Sequence, residues 1–238
     1  MFKAGPIFQS KSGPHSLCLA AATSGENLRP KDWLTREELT LYESFASPRR
    51  REHFLLGRVS AKRTLMALGG RGSPKRMALL PGHLGQPVWQ GLGWRTSLTH
   101  SGSAETSIAM AVSSSAALPL TLDLEALTPE RSRVSLLRRR LPAAERFSTP
   151  NPTAAVVGVW SAKECLGKVL GTGIGIAPAV LAVQRVQSGP RQNVYHFKSV
   201  PQFHVTQWER DGWLLSFLCP RDISVPRGLP SWFQSVVR

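Results

Sequence analysis

The sequence predicts an α+β fold of two similar halves, each with helices packed on an antiparallel sheet. Two observations lead to this prediction. Helical patterns precede strand patterns twice along the 238 residues, and the strand segments are short and separated by turn residues, as in antiparallel sheets. No sequence repeat accompanies the likeness of the halves. We expect the first half to span residues 1–117 and the second half to span residues 118–238.

In the first half, two helices are predicted before the strands. The spacing of Thr35 and Glu38 is that of a capping box, which predicts a short helix ending near Phe45. A longer helix should follow Ser47 and end at Gly69-Gly70, with basic residues on one side. Its apolar side would contain Phe54, Leu55, Val59, Leu65 and Met66.

Three strands are predicted next, over residues 95–100, 106–112 and 118–125, forming an antiparallel meander. The first forty residues show no clear periodicity. In the second half we expect helices over 130–140 and 154–170, the latter ended by the glycines of 171–173. Strands should then cover 180–186, 194–200, 203–208 and 213–219, with a hairpin turn at Asp211-Gly212.

The chain carries 30 Lys and Arg against 15 Asp and Glu, a net charge of +15. Such a charge predicts an anionic partner: a nucleic acid, a lipid surface, a phosphorylated metabolite or an acidic protein. Arginine clusters at 49–51 and 138–140 are candidate contacts. Aromatic residues do not alternate with basic ones as they do in RNA-stacking sheets, so specific nucleic-acid binding is not predicted.

Cysteine usage and hydropathy indicate a cytoplasmic protein. The three cysteines, Cys18, Cys165 and Cys219, are far apart and show no CxxC spacing. No apolar segment approaches the length of a membrane span, and the N-terminal segment lacks a long enough apolar core for a signal peptide. We therefore expect no membrane association.

Two acids lie on a predicted strand near the middle of the chain. Leucine alternates with other residues over 118–125, which predicts a strand with one buried face. Asp123 and Glu125 then share the opposite face with Cα atoms roughly 6.5 to 7 Å apart, a spacing that suits one Mg²⁺ ion and a phosphorylated substrate. The alternative is an edge strand whose acids face water.

The helix predicted over 154–170 carries a second polar group. Trp160, Glu164 and Lys168 recur at steps of four residues, on a different face from the apolar stripe that includes Val159 and Leu166. The alternative interpretation is a surface Glu–Lys ion pair worth about 0.2 to 0.5 kcal/mol. The glycines of 171–175 lack the third glycine of a dinucleotide-binding loop, and no Walker loop, HExxH, GxSxG elbow or zinc-ligand cluster is present.

These segments, in this order, resemble the signature of the 4'-phosphopantetheinyl transferases. An Asp-x-Glu strand precedes a Trp-x-x-Lys-Glu-x-x-x-Lys helix at 160–168. Upstream, 54–61 resembles the family's Phe-x-x-Gly-Arg-x-x-Ala helix, 85–87 its Gly-Lys-Pro turn, and 97–102 its Ser-His-Ser strand end. The length resembles that of the long, monomeric surfactin-synthetase type, whose two halves are similar.

The resemblance implies transfer of the 4'-phosphopantetheine arm from coenzyme A to a serine of an acidic acyl or peptidyl carrier protein, in a cleft between the halves. Mg²⁺, with Mn²⁺ as an alternative, would be held by Asp123, Glu125 and Glu164. Glu164 would also accept the serine proton, and Lys168 would stabilise the leaving phosphate. Contacts to coenzyme A would come from Arg58, Gln86, Thr99, His100, Lys163 and Lys168.

Two departures from the family pattern bear on these roles: Gln86 replaces a common phosphate-binding lysine, and Thr121 replaces a glycine near Asp123. Two rival functions stay open. One is a basic binding module for nucleic acid or an anionic surface. The other is a catalytically silent homologue that binds coenzyme A or a carrier protein. The sequence does not identify the carrier or its pathway.

Overall fold

The structure is a computed structural model that describes residues 5–12, 15–70, 72–102, 106–115, 118–127, 131–145, 152–176, 180–190 and 192–238. The chain divides into two compact units, an N-terminal unit Met1–Leu120 and a C-terminal unit Thr121–Arg238. Each contains helices and antiparallel sheet, so the predicted α+β class is confirmed. No helix in the described ranges is long and apolar enough to cross a membrane.

The elements of the N-terminal unit, in chain order, are β1 (Ile7–Ser12), β2 (His15–Thr23), α1 (Pro30–Trp33), α2 (Arg36–Ser44), α3 (Pro48–Ala67), β3 (Leu79–Pro81), β4 (Pro87–Trp89), β5 (Trp94–Gly102) and β6 (Ser107–Ser115). Four strands form an antiparallel sheet in the order β1-β2-β6-β5, and β3 and β4 form a separate hairpin. Helix α3 packs against β2, β5 and β6.

The helix boundaries predicted for this unit are confirmed by their caps. The hydroxyl of Thr35 accepts the backbone N–H of Glu38, whose carboxylate accepts the N–H of Thr35, so the capping box at the start of α2 is complete. Ser47 caps α3 by accepting the N–H of Arg50. Beyond the end of α3, Gly69 has φ of +91°, a conformation that favours glycine.

The predicted basic surface of α3 is wrong. Arg58, Lys62 and Arg63 are all buried, whereas Met66, assigned to the apolar side, is 42% exposed. The reason is that two acids, the buried Glu38 and the half-buried Glu26, lie opposite these cations. The Glu38 carboxylate forms ion pairs with Lys62 and Arg58, and the Glu26 carboxylate binds Arg63 at 2.5 Å. Ion pairing offsets the cost of burying these charges.

Strands also precede the helices, contrary to the predicted order. Neither β1 nor β2 was predicted. β2 was missed because it lies inside the sheet, between β1 and β6, and its residues 17–22 are all buried. A strand covered on both faces is continuously apolar and shows no alternation. The C-terminal unit likewise begins with a strand.

The elements of the C-terminal unit are β7 (Thr121–Ala126), α4 (Arg131–Arg140), α5 (Pro152–Leu170), β8 (Val183–Ser188), β9 (Asn193–Phe197), β10 (Phe203–Arg210), β11 (Trp213–Pro220) and α6 (Leu229–Val237). The strands form a five-stranded antiparallel sheet in the order β7-β11-β10-β9-β8. The predicted meander is wrong in its third strand, because β7 pairs with β11 and not with β6. α6 was not predicted.

Helix α5 packs on this sheet through small residues and several side-chain hydrogen bonds. The hydroxyl of Thr121, on β7, donates to the Cys165 carbonyl at 2.8 Å. Gly158 contacts the sheet so closely that an added Cβ would lie 2.5 Å from the Tyr195 hydroxyl. After α5, Gly171 and Gly173 have positive φ, which confirms the predicted helix end. α5 is therefore fixed against β7, the strand that carries the predicted acids.

Candidate active site

Asp123 and Glu125 lie on β7, at the edge of the five-stranded sheet, opposite Ser216 and Leu214 of β11. Because β7 is an edge strand, acids there could have faced water. They are instead only 6% and 8% exposed, since α5 packs against β7. The alternative of two solvated surface acids is therefore wrong.

The Asp123 carboxylate is held by two side chains of α5. Its Oδ1 accepts the Lys168 ammonium at 2.8 Å, and its Oδ2 accepts the Ser161 hydroxyl at 2.7 Å. Lys168 also donates to the Leu122 carbonyl at 2.9 Å. Burial by itself lowers the pKa of Lys168, but Asp123 and other acidic neighbours outweigh it and raise the pKa. The ammonium is thus held charged against β7, rather than in a simple surface ion pair with Glu164.

Glu125 is bound by an arginine that the motif analysis did not identify. Nη2 of Arg133, on α4, lies 2.7 Å and 2.8 Å from the two carboxylate oxygens of Glu125. The side chain of Arg133 is 46% exposed, whereas that of Glu125 is 10% exposed. This contact links α4 to β7. It pairs the half-exposed guanidinium of Arg133 with the buried carboxylate of Glu125.

Asp123 lies close enough to Glu125 and Glu164 for its charge to affect the ionisation of both glutamates. Burial, followed by the charge of Asp123, raises the pKa of Glu125 to about 7, although Arg133 opposes the shift. Burial and the charge of Asp123 also raise the pKa of Glu164. Negative charge is therefore unfavourable at this cluster, and a bound cation would relieve the repulsion.

Lys163 points into the body of the C-terminal unit. Its ammonium lies 2.6 Å from Oε2 of Glu145, and both side chains are about 95% or more buried. Oε1 of Glu145 accepts the backbone N–H of Val183 at 2.6 Å. Lys163 thereby fixes the turn at 143–145 and the start of β8 to α5.

In the N-terminal unit, Arg58 is buried against an aromatic ring and an acid. Its guanidinium carbon lies 4.3 Å from the centre of the Phe54 ring, and its Nε lies 3.5 Å from Oε1 of Glu38. Burial lowers the pKa of Arg58 to about 10, with Glu38 opposing the shift.

His100 and Thr99 lie near the end of β5. Thr99 is buried and His100 is exposed. The His100 ring stacks on the ring of His53, from α3, with centroids 4.3 Å apart and planes at 30°. Nε2 of His53 lies 3.3 Å from the Ser107 hydroxyl. The prediction missed His53, although its four-residue spacing from Arg49 places both on one side of α3.

Gln86 lies in the turn of the β3-β4 hairpin. Its side-chain Oε1 accepts the N–H of Leu84 at 2.9 Å, and its backbone carbonyl accepts the N–H of Gly82 at 2.7 Å. Gly85, in the same turn, has φ of +80°. The exposed Gln86 side chain thus stabilises the turn, a role that a lysine, which has no acceptor, would not fill.

Two family models match the two units of the chain. Residues 37–112 match the 4'-phosphopantetheinyl transferase N-terminal domain, and residues 119–218 match the 4'-phosphopantetheinyl transferase superfamily. The chain belongs to the 4'-phosphopantetheinyl transferase superfamily. The match of both units confirms the pseudo-duplicated fold, and membership makes the chain a transferase of the phosphopantetheinyl type. No curated protein sequence matches it.

The acids of this phosphopantetheinyl transferase have the donor chemistry that Mg²⁺ prefers, because all three provide carboxylate oxygens. Within the described ranges, however, no group of three or more His, Cys, Asp or Glu side chains is arranged to hold a metal ion. Asp123 is engaged by Ser161 and Lys168, and Glu125 is engaged by Arg133. The three carboxylates therefore suit Mg²⁺ chemically, but in this structure Asp123 and Glu125 are bound to other side chains of the protein.

Sequence reasoning missed several residues around the acids of this transferase. Arg133 is one of several arginines in α4, and the sequence does not distinguish it from the others. Ser161 lies inside the Trp160–Lys168 motif but was assigned no role. Ser216 lies on β11 and Gln207 on β10. Ser216 contacts Ser161, and Gln207 contacts Ser216, a relation that only the strand register reveals.

Proposed function

We propose that this transferase moves the 4'-phosphopantetheine arm of coenzyme A onto a serine of an acyl or peptidyl carrier protein. The observation that carries the proposal is the Asp123–Lys168 ion pair between β7 and α5. Glu125 lies on the same strand, and Glu164 lies on the same helix as Lys168. These residues lie inside the segment that matches the superfamily.

In the proposed reaction, the serine oxygen attacks the pyrophosphate phosphorus nearest the pantetheine arm. A new P–O bond forms to serine, and the P–O bond to the departing adenosine 3',5'-bisphosphate breaks. Glu164 accepts the serine proton, a role for which burial next to Asp123 prepares it by raising its pKa. Lys168, kept cationic by Asp123, neutralises negative charge on the leaving phosphate.

Asp123, Glu125 and Glu164 are the proposed ligands of Mg²⁺, with Mn²⁺ as an alternative. The bound ion would supply positive charge that neutralises the pyrophosphate oxygens. Within the protein, the pKa values of the two glutamates support this role, since burial and then the charge of Asp123 raise both.

The proposed coenzyme A contacts in the N-terminal unit are Arg58, Gln86, Thr99 and His100. Exposure of His100, and its stacking on His53, support a role in binding an anion. Lys168 is the proposed contact in the C-terminal unit. For Lys163, the buried ion pair with Glu145 favours a structural role over a direct contact with coenzyme A.

The proposed protein partner is an acidic carrier protein, and the proposed architecture is the long monomeric surfactin-synthetase type. The net charge of +15 supports the carrier, because a positive field accelerates encounters with an acidic protein. The arginines of residues 49–51 and 138–140, all exposed except the half-buried Arg51, are candidate contacts.

The proposal is tested by intact-mass spectrometry of apo carrier proteins from fatty-acid, polyketide and nonribosomal peptide synthesis. Each is incubated with coenzyme A and Mg²⁺. We expect one phosphopantetheine arm to be added by the wild type and by the control Asp32→Asn, whose acid is exposed. We expect loss of transfer in Asp123→Asn and in the presence of a chelator.

The rival functions predict other results. A silent homologue would bind coenzyme A or the carrier and leave the carrier mass unchanged. A basic binding module would show no metal dependence, and its affinity would fall with arginine replacements regardless of Asp123.

A further inference from the structure

A row of polar residues crosses the core of the C-terminal unit. Asp123 of β7 is paired with Ser216 of β11, and Ser216 is paired with Gln207 of β10. Because cross-strand partners point to the same side of a sheet, the three side chains share the face that α5 covers. Ser161 of α5 meets this row from above, within 2.7 Å of both Asp123 Oδ2 and Ser216 Oγ.

The hydrogen bonds of this row run in one direction. Nε2 of Gln207 donates to the Gly158 carbonyl at 2.6 Å and to Ser216 Oγ at 2.8 Å. A carbonyl oxygen can only accept, so the amide nitrogen, not its oxygen, must face Gly158. The Ser161 hydroxyl donates its one proton to Asp123. In its hydrogen bond with Ser216 it must therefore be the acceptor, and the Ser216 hydroxyl the donor.

Burial makes these bonds costly to break. Ser161 and Ser216 are fully buried, and Gln207 is 1% exposed. A buried donor or acceptor left without a partner costs about 1 to 3 kcal/mol. Successive hydrogen bonds in a low-dielectric core also polarise one another. The row of polar residues crosses an apolar core and ends on a carboxylate of the proposed site. This placement favours a functional role for the row in addition to its effect on stability.

We propose that Gln207, Ser216 and Ser161 form a one-way hydrogen-bond chain that positions the Asp123 carboxylate. The inference rests on the proposed function, because it explains how Asp123 is held for that role. The hydrogen-bond chain fixes Oδ2, so that Oδ1 stays directed to Lys168. The three are positioning residues. They act through Asp123 and touch no reactant.

Gln207→Glu is the sharpest test because it keeps the shape of the side chain and removes its NH₂ donors. Ser161→Ala and Ser216→Ala remove the later links. Ser60→Ala is the matched control: Ser60 is also fully buried, but its hydroxyl donates at 3.0 Å to Gly57 of its own helix in the other unit. Circular dichroism and urea unfolding establish which variants are folded, and only folded variants are compared.

The first readout is direct. In wild-type protein with ¹³C-labelled serine, we expect slowly exchanging hydroxyl-proton NMR signals from Ser161 and Ser216. Gln207→Glu should shift or abolish both. Two results would overturn the proposed hydrogen-bond chain: hydroxyl protons that exchange with water as fast as exposed ones in the wild type, or hydroxyl signals that do not change in Gln207→Glu.

The second readout is Mn²⁺ affinity, measured without coenzyme A from the free-ion electron paramagnetic resonance signal. Removing partners that orient metal ligands typically weakens binding 10- to 100-fold, so we expect about a tenfold loss in Ser161→Ala and in Gln207→Glu. Ser60→Ala should equal the wild type. The double variant Ser161→Ala/Gln207→Glu should lose no more than Ser161→Ala, because Ser161 is the link to Asp123.

If the wild type loads carriers but Mn²⁺ affinity is unchanged in Ser161→Ala, Ser216→Ala and Gln207→Glu, the positioning role of these residues is overturned and the proposed function is not. A wild type that loads no carrier would instead overturn the proposed function, and the hydroxyl signals would still decide whether the chain exists.

Discussion

Replacing Gly158 by alanine should impair transfer far more than it impairs folding. A Cβ at this position of α5 would lie 2.5 Å from the Tyr195 hydroxyl and 2.8 Å from Oε1 of Gln207. Reaching the 3.4 Å of an ordinary contact requires a shift of about 0.9 Å (3.4 − 2.5) from the first atom. Tyr195 and Gln207 are buried on the sheet, so the helix is expected to move.

The expected magnitudes follow from that shift. Overpacking of a core costs about 1 to 3 kcal/mol, and the higher helix propensity of alanine returns about 1 kcal/mol. The net loss of stability is therefore about 0 to 2 kcal/mol. Glu164 and Lys168 lie on the same helix and move with it, and a displacement of about 1 Å can lower a rate about 100-fold.

The assay combines urea unfolding with carrier-loading kinetics. Gly57→Ala is the stability control, because the nearest atom to its Cβ would be Cδ1 of Leu98 at 3.9 Å; we expect it to gain up to about 1 kcal/mol. Adding Tyr195→Phe to Gly158→Ala removes the closest atom and should restore part of the rate. Gly158→Ala with full activity and a stability gain like that of Gly57→Ala would refute the close packing of α5.

Three further predictions concern other parts of the molecule. Gly167→Ala should lower the free energy of unfolding by about 2 kcal/mol, because its Cβ would meet the backbone carbonyl oxygen of Gly173 at an overpacking cost of about 3 kcal/mol, of which alanine's helix propensity returns about 1 kcal/mol; an unchanged urea midpoint would contradict this. Glu38→Ala leaves the buried Lys62 ammonium without its ionic partner and should lower the free energy of unfolding by about 3 to 5 kcal/mol. The double variant Glu38→Gln/Lys62→Met should restore most of that loss. Equal stability of the single and double variants would contradict the Glu38–Lys62 ion pair. Raising the ionic strength from about 0.05 M to about 0.5 M should lower kcat/KM for the carrier about tenfold or more while kcat stays constant, whereas a salt-independent kcat/KM would exclude electrostatic steering.

Local signals predicted most of the helices and several strands. The capping box at Thr35 and the Ser47 cap specify α2 and α3 through contacts within a few residues. The Asp211-Gly212 turn, with φ of +49° and +78°, likewise specifies the β10-β11 hairpin. Each of these is visible in a short stretch of sequence.

Long-range contacts account for what was missed. β7 follows β6 in the chain but pairs with β11, about ninety residues later. Lys62 was predicted on a surface because nothing near it in the sequence shows that Glu38 lies opposite. In each case the burial of a residue depends on a partner from a distant segment.

The candidate site shows the same division. Alternation predicted that Asp123 and Glu125 share a face, and four-residue spacing predicted that Glu164 and Lys168 lie together. Neither pattern could show that Lys168 would bind Asp123 rather than Glu164. The serines and glutamine behind Asp123 became recognisable only through the register of β7, β11 and β10.

The carboxylates of β7 and α5 are the proposed catalytic groups of phosphopantetheine transfer. The most direct test is the single-turnover rate at which Glu164→Gln loads an apo carrier, with Glu43→Gln as the exposed-acid control. Removal of a general base lowers a rate typically about 10²- to 10⁴-fold. We predict a loss of that size in folded Glu164→Gln and a wild-type rate in Glu43→Gln. A Glu164→Gln variant that loads the carrier at the wild-type rate would contradict the account.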